Sequence, residues 1–205
     1  MADMSKLLAR AESLAARLEK WVPAEPEPVD WGASIAFRWR KNHGPRERGE
    51  IHPVGQVHRI QLKDLRGIDE QKSLVEQNTR QFVEGYPANN VLLTGARGTG
   101  KSSLIKALLT KYAPHGLRVI EVEKQDLIDL PEIVELIAGR PERFVLYCDD
   151  LSFEADEPGY KALKVILDGS VAAASENCLI YATSNRRHLM PEFRSEEHTS
   201  ELQSH

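Results

Sequence analysis

The chain has 205 residues, 41% hydrophobic and 28% charged, with a formal net charge of −4. That is enough for one domain with a real core, and it gives no global pull toward nucleic acid or an anionic membrane. No apolar run approaches the length of a bilayer span and no continuous apolar leader opens the chain, so the expected location is the cytoplasm, away from any membrane.

In chain order, residues Ser5 to Val22 read as an amphipathic helix, because Leu7, Ala11, Leu14, Leu18 and Trp21 fall on one stripe. Such a helix docks on its own core or on a partner. Pro23, Pro26 and Pro28 then exclude a helix interior, which makes an extended acidic linker. From Trp31 to Ile60 the pattern is indistinct: Phe37–Arg40 and Val57–Leu62 have the composition of short strands around a Gly/Pro-containing loop. The sequence Phe37-Arg38-Trp39-Arg40-Lys41, with Arg46 and Arg48, interleaves aromatic and basic residues. That pattern suits single-stranded nucleic acid, and it equally suits a solvated face.

Beyond Asp64 the periodicities sharpen. Helices are expected over Asp69–Glu84 (Leu74, Val75, Phe82 and Val83 inward), Ser102–Tyr112, Asp126–Ala138 (Leu127, Leu130, Val134 and Ile137 inward) and Tyr160–Val171. Strands are expected at Val91–Thr94, Leu117–Val122, Phe144–Cys148 and Cys178–Thr183. The strands are continuous apolar runs alternating with helices, the mark of a parallel sheet covered on both faces. Cys148 and Cys178 lie in two of these runs and read as buried free thiols. The expected organisation is a helix over 1–22, a Pro-rich linker and irregular basic segment over 23–62, an α/β core over 63–193, and a polar tail over 194–205.

Gly95-Ala96-Arg97-Gly98-Thr99-Gly100-Lys101-Ser102 fits G-x-x-x-x-G-K-[ST] throughout, with a buried strand before it and a helix after it. The glycines permit backbone conformations that turn successive amides inward around phosphate oxygens, at the positive end of the following helix. Lys101 supplies a point charge to the β- and γ-phosphates, and Ser102 a hard oxygen for Mg²⁺. The candidate nucleotide contacts run from Gly95 through Ser103; Arg97 takes a variable position and reads as solvated. Phe144–Asp150 is a buried strand ending in two acids, of which Asp149 is placed to hold Mg²⁺ through water. Leu179–Asn185 turns polar at its carboxyl end, where open α/β sheets line their ligand crevice, and Asn185 is its candidate contact, with Thr183 and Ser184 behind it.

These elements, in this order, resemble those of AAA+ ATPases: Walker A at Gly95–Ser102, Walker B at Phe144–Asp150 and sensor 1 at Asn185. The resemblance implies a P-loop NTPase three-layer sandwich with ATP and Mg²⁺ as ligands. It also implies Asp150 as the group that polarises the attacking water. Asp150 is one methylene shorter than the more common Glu, which leaves Glu154 as a reserve. Asp64-Leu65-Arg66-Gly67-Ile68-Asp69 looks like the segment that contacts adenine in that superfamily, through Leu65, Gly67 and Ile68. More closely, Ile51 to Phe193 resembles a bacterial family of ATP-binding proteins. The implied activity is ATP hydrolysis coupled to conformational change, with a homo-oligomer as one partner. A helicase-loader-like nucleic-acid ATPase and a small-molecule kinase are the alternatives. The guanine-reading N-K-x-D motif is absent, which argues against GTP. Arg194 to His205 resembles the translation of a sequencing adapter and offers nothing to a core. On that reading the fifth strand, arginine finger and lid of the family lie elsewhere, and turnover by this chain is expected to be weak.

Overall fold

The computed structural model describes residues 4, 6, 10, 12–14, 17, 28–42, 48–153, 157–167 and 176–186. The segments expected as the proline linker and the polar tail fall outside these residues, apart from Pro28, as do Arg46 and Glu154. Of the N-terminal segment, Met4, Lys6, Arg10, Glu12, Ser13, Leu14 and Arg17 are helical and exposed.

Strand and helix alternate as the periodicity requires. The described strands are β1 (Ala36–Asn42), β2 (Arg48–Pro53), β3 (Val91–Thr94), β4 (Leu117–Glu121), β5 (Arg143–Cys148) and β6 (Cys178–Ser184). The described helices beyond the N-terminal segment are α1 (Asp69–Val83), α2 (Lys101–Tyr112), α3 (Leu130–Ile137) and α4 (Pro158–Leu167). One sheet runs β2-β1-β4-β5-β6-β3, parallel except for the β1–β2 pair. This is the expected α/β arrangement, a largely parallel sheet covered on both faces, with β3, which leads into the Gly95–Ser102 loop, beside β6, and β5, which leads into the two acids, one place further in.

Successive side chains of a strand point to opposite faces, and the two cores divide accordingly. On β5, Phe144, Leu146 and Cys148 join one apolar cluster with Leu130, Ile133, Ile137 and Leu163 of α3 and α4. Val145 and Tyr147 join the other, with Val75 and Phe82 of α1 and Leu104, Ile105 and Leu108 of α2. Both faces of β5 are therefore dry, which is why its sequence carries no polar alternation. Trp31 meets Phe144 edge-on at 4.7 Å between ring centres. Truncating a fully buried aromatic such as Phe144 costs about 3–5 kcal/mol.

Several expectations are corrected. The segment 23–62 is not irregular throughout: β1 and β2 form a hairpin that extends the sheet through β1–β4. Val57–Leu62 is not a strand; it runs as an extended loop into a single 3-10 turn at Leu62–Asp64. Asp126–Ala138 is not one helix. A 3-10 segment, Lys124–Asp129, precedes α3, because Pro131 is tolerated only in the first turn of a helix. Leu74 faces solvent at 62% exposure, and the inward positions of α1 are Val75, Thr79 and Phe82. Val91–Thr94 alternates between half-buried and exposed because, in the described sheet, it has a neighbour on one side only.

Phe37 and Trp39 are core residues, at 0% and 1% exposure. The Trp39 indole N–H donates to Asp129 Oδ2 at 3.0 Å, Arg38 pairs with Glu121 at 2.6 Å, and Lys41 with Asp129 at 2.9 Å. The aromatic rings that suggested base stacking are thus buried, and two of the cations between them are already matched. Gly49 lies flat against Trp39; a Cβ there would come within 1.7 Å of the indole ring.

Candidate nucleotide and magnesium site

β3 delivers the chain into the loop that separates it from α2. Gly98 and Gly100 adopt φ of 83° and 88°, the left-handed region that a Cβ disfavours. Gly100 caps α2, and the Leu104 amide closes the first helical turn onto its carbonyl at 2.8 Å. Thr99 Oγ1 donates to the Ala96 carbonyl at 2.9 Å and braces the loop from within. Arg97 is exposed, and Ser103 is half-buried in the first turn of α2.

The Lys101 ammonium folds back over this loop. It donates to the carbonyls of Gly95 at 2.7 Å and Ala96 at 2.9 Å, and to Asn185 Oδ1 at 3.0 Å. Three oxygen acceptors thus surround one cation at the mouth of a helix N-terminus. The amide of Asn185 also donates, through Nδ2, to Asp150 Oδ1. Asn185 therefore joins Lys101 to Asp150, beyond the end of β5.

Asp149 gathers hydroxyl donors. Ser102 Oγ donates to its Oδ1 at 2.9 Å, and Thr183 Oγ1 donates to the same oxygen. Burial works to raise the Asp149 pKa. The hydroxyls of Thr183 and Ser102 and the Asp150 amide outweigh it, and the carboxyl is held below its ordinary range. Thr183, only 1% exposed, also accepts the Asp150 amide at 2.9 Å, so one hydroxyl ties both acids to β6. Asp150 takes a φ of 52°, a strained conformation for a residue with a side chain and one seen at functional sites.

The donor set fits a hard divalent cation. A carboxylate and a hydroxyl sit together at the end of β5 and the start of α2, and Ser102, while donating its proton to Asp149, keeps its lone pairs for a metal. One buried polar atom in this neighbourhood, the Tyr147 hydroxyl, has no hydrogen-bond partner.

The remaining predicted contacts divide. Ile68 reaches the loop, with its Cδ1 3.6 Å from where a Gly100 Cβ would stand. Leu65 and Ile68 pack against the α1–α2 cluster, and Gly67 turns the chain at φ 76°. All three are thus on the P-loop side of the sheet. Sequence reasoning placed Thr183 merely behind Asn185 and assigned nothing to Tyr147. Strand alternation carried the signal for both: Tyr147 and Asp149 share a face of β5, and Thr183 stands on the same face of β6.

No curated protein matches the sequence. A solved structure of a RuvB mutant from Thermotoga maritima is similar in shape, with a TM-score of 0.47 and 16% identity; the likeness covers 64% of this chain and 43% of that one. The chain thus spans less than half the length of that structure. Among the described residues no helix is long and apolar enough to cross a membrane. The match to a family model is broader, covering residues 32–205, and this chain belongs to the family described as "Protein of unknown function (DUF815)".

Proposed function

We propose that the chain binds Mg-ATP in the loop Gly95–Ser103 and that it is an ATPase of AAA+ type, coupling binding and hydrolysis to conformational change. The observation that carries this reading is the position of Lys101: its ammonium is held at the P-loop by three oxygens that phosphate oxygens can replace. Ser102 and Asp149 would hold the Mg²⁺, which when bound neutralises phosphate charge as it develops toward the transition state.

In this reading each residue has a distinct task. Lys101 binds the β- and γ-phosphates, and the amides of Gly98 and Gly100 line the anion side. Asp150 accepts the proton of the attacking water. Its carboxylate is oriented by Asn185 and its backbone is pinned by Thr183. Asn185, bonded to both Lys101 and Asp150, keeps the base in register with the phosphate. Leu65, Gly67 and Ile68 offer an apolar edge to adenine. A cytoplasmic location and association between copies accompany this reading.

Calorimetric titration tests it. ATP with Mg²⁺ should bind saturably and GTP more weakly. Lys101→Ala should lose at least about a hundredfold in affinity, since two charge-assisted bonds are worth about 3 kcal/mol or more. Wild-type protein with no heat of binding to ATP in either the presence or absence of Mg²⁺ would end the proposal.

A further inference from the structure

Two buried tyrosines stand side by side on the α2 face of the sheet, Tyr147 on β5 in register with Tyr181 on β6. Their hydroxyls fare differently. Tyr181 meets Thr79 at 2.8 Å and Asn78 at 3.1 Å, so its buried polar atom is satisfied within the fold. Tyr147 is only 4% exposed, and its hydroxyl has no hydrogen-bond partner. Buried hydroxyls are seldom left unpaired, because the group gives up its bond to water and gains none in return.

The orientation of Tyr147 is informative. It lies two residues before Asp149, on the same face of β5, with Thr183 diagonally across on β6. Its hydroxyl approaches Ser102, Asp149 and Thr183 without reaching hydrogen-bond geometry with any of them. Those three already form a closed set, in which Ser102 and Thr183 both donate to Asp149 Oδ1. A third hydroxyl therefore stands behind the set as a donor in reserve. Phenylalanine would fill the same apolar space, so packing alone gives no reason for the oxygen.

We infer that Tyr147 is a positioning residue of the cation site, whose hydroxyl donates to the Asp149 carboxylate once the Ser102 oxygen is engaged by Mg²⁺ and nucleotide. This rests on the Mg-nucleotide reading and adds to it a residue that the motif pattern does not contain. The bond is satisfied in the loaded state and open in the free protein. Tyr147 thus makes the site's affinity for Mg²⁺ depend on a group that contributes nothing to the unloaded fold. Partners that orient a metal ligand in this way typically change metal affinity about 10- to 100-fold when removed.

The test is Tyr147→Phe in the full chain, with three readouts. The free variant should melt at the wild-type temperature or above it, because the substitution removes an unpaired hydroxyl. Affinity for ATP in EDTA should be unchanged. The Mg²⁺ concentration that half-saturates nucleotide-dependent stabilisation should rise about tenfold or more. A lower melting temperature of the free variant, or an unaltered Mg²⁺ dependence, overturns the inference. Should the variant not fold, wild-type protein labelled with 3-fluorotyrosine keeps the question open to decision. One buried tyrosine ¹⁹F resonance should move on adding Mg²⁺ to the ADP-bound protein, and no such movement overturns it. Failure of the wild-type chain to bind ATP at all would instead remove the underlying reading, so the two failures are separable.

Discussion

Replacing Thr183 by valine removes one hydroxyl of nearly unchanged volume from the junction between β5 and β6. Two interactions go with it: the bond to Asp149 Oδ1 and the bond from the Asp150 amide. The second is neutral and worth about 1 kcal/mol. The first is charge-assisted, but Asp149 is solvent-exposed, so screening keeps it near about 1 kcal/mol as well. The expected loss is about 2 kcal/mol, or about 4–8 °C in melting temperature for a chain of this size. The pH dependence has a definite sign. The folded Asp149 has a depressed pKa, with burial opposing and the hydroxyls prevailing. Its contribution is present above the unfolded carboxylate value of about 3.9 and is lost as pH falls through the lower folded value. Denaturant midpoints of wild type and Thr183→Val should therefore differ most at neutral pH, and the difference should shrink by about half as the pH falls through the depressed folded value of Asp149, leaving the share of the neutral bond to the Asp150 amide. A variant that matches wild type at pH 7, or a deficit that persists undiminished in acid, would refute the claim that Thr183 holds an ionised Asp149.

Asp150→Asn should retain nucleotide binding and lose about 10²- to 10⁴-fold in hydrolysis rate under single-turnover conditions, as expected for a general base. Asn tolerates the left-handed backbone of this position, whereas Asp150→Val should also destabilise the fold by about 1–3 kcal/mol, measurable by denaturant titration. Gly49→Ala should cost about 1–3 kcal/mol and alter tryptophan fluorescence, because the new methyl drives into the Trp39 ring. Cys148 is fully buried and its thiol pKa is pushed up to about 12 by burial, so it should resist thiol reagents in the native protein and react on unfolding.

The strand, loop and helix around residues 95–102 were legible because their information is local. Eight contiguous residues specify the turn, the amides and the lysine, and the flanking strand and helix follow from hydrophobic periodicity. The buried strands β4 to β6 were legible for the same reason. The hairpin β1–β2 was legible only in part: Phe37–Arg40 read as a short strand, but its antiparallel partner Arg48–Pro53 did not. The alternation of Phe37 and Trp39 with Arg38 and Arg40 reads equally as a binding face, and the partners that settle the matter, Glu121 and Asp129, lie more than 80 residues away. Tertiary pairing buried the rings and neutralised two of the cations. The break before α3 was visible in principle, since Pro131 cannot occupy a helix interior without clashing with the preceding turn. The tie from Thr183 to both acids, and the unpartnered hydroxyl of Tyr147, depend on which strands are neighbours. No single-strand pattern states that.

Mg-nucleotide binding as proposed requires that main-chain amides between residues 95 and 102 receive a polyphosphate. Backbone amide NMR of the ¹⁵N-labelled chain answers this most directly. Adding Mg-ADP should move the resonances of Gly98, Gly100, Lys101 and Ser102 strongly downfield, with smaller changes at Asp149 and Asn185. Saturable binding that leaves those amides in place and perturbs another surface would contradict it.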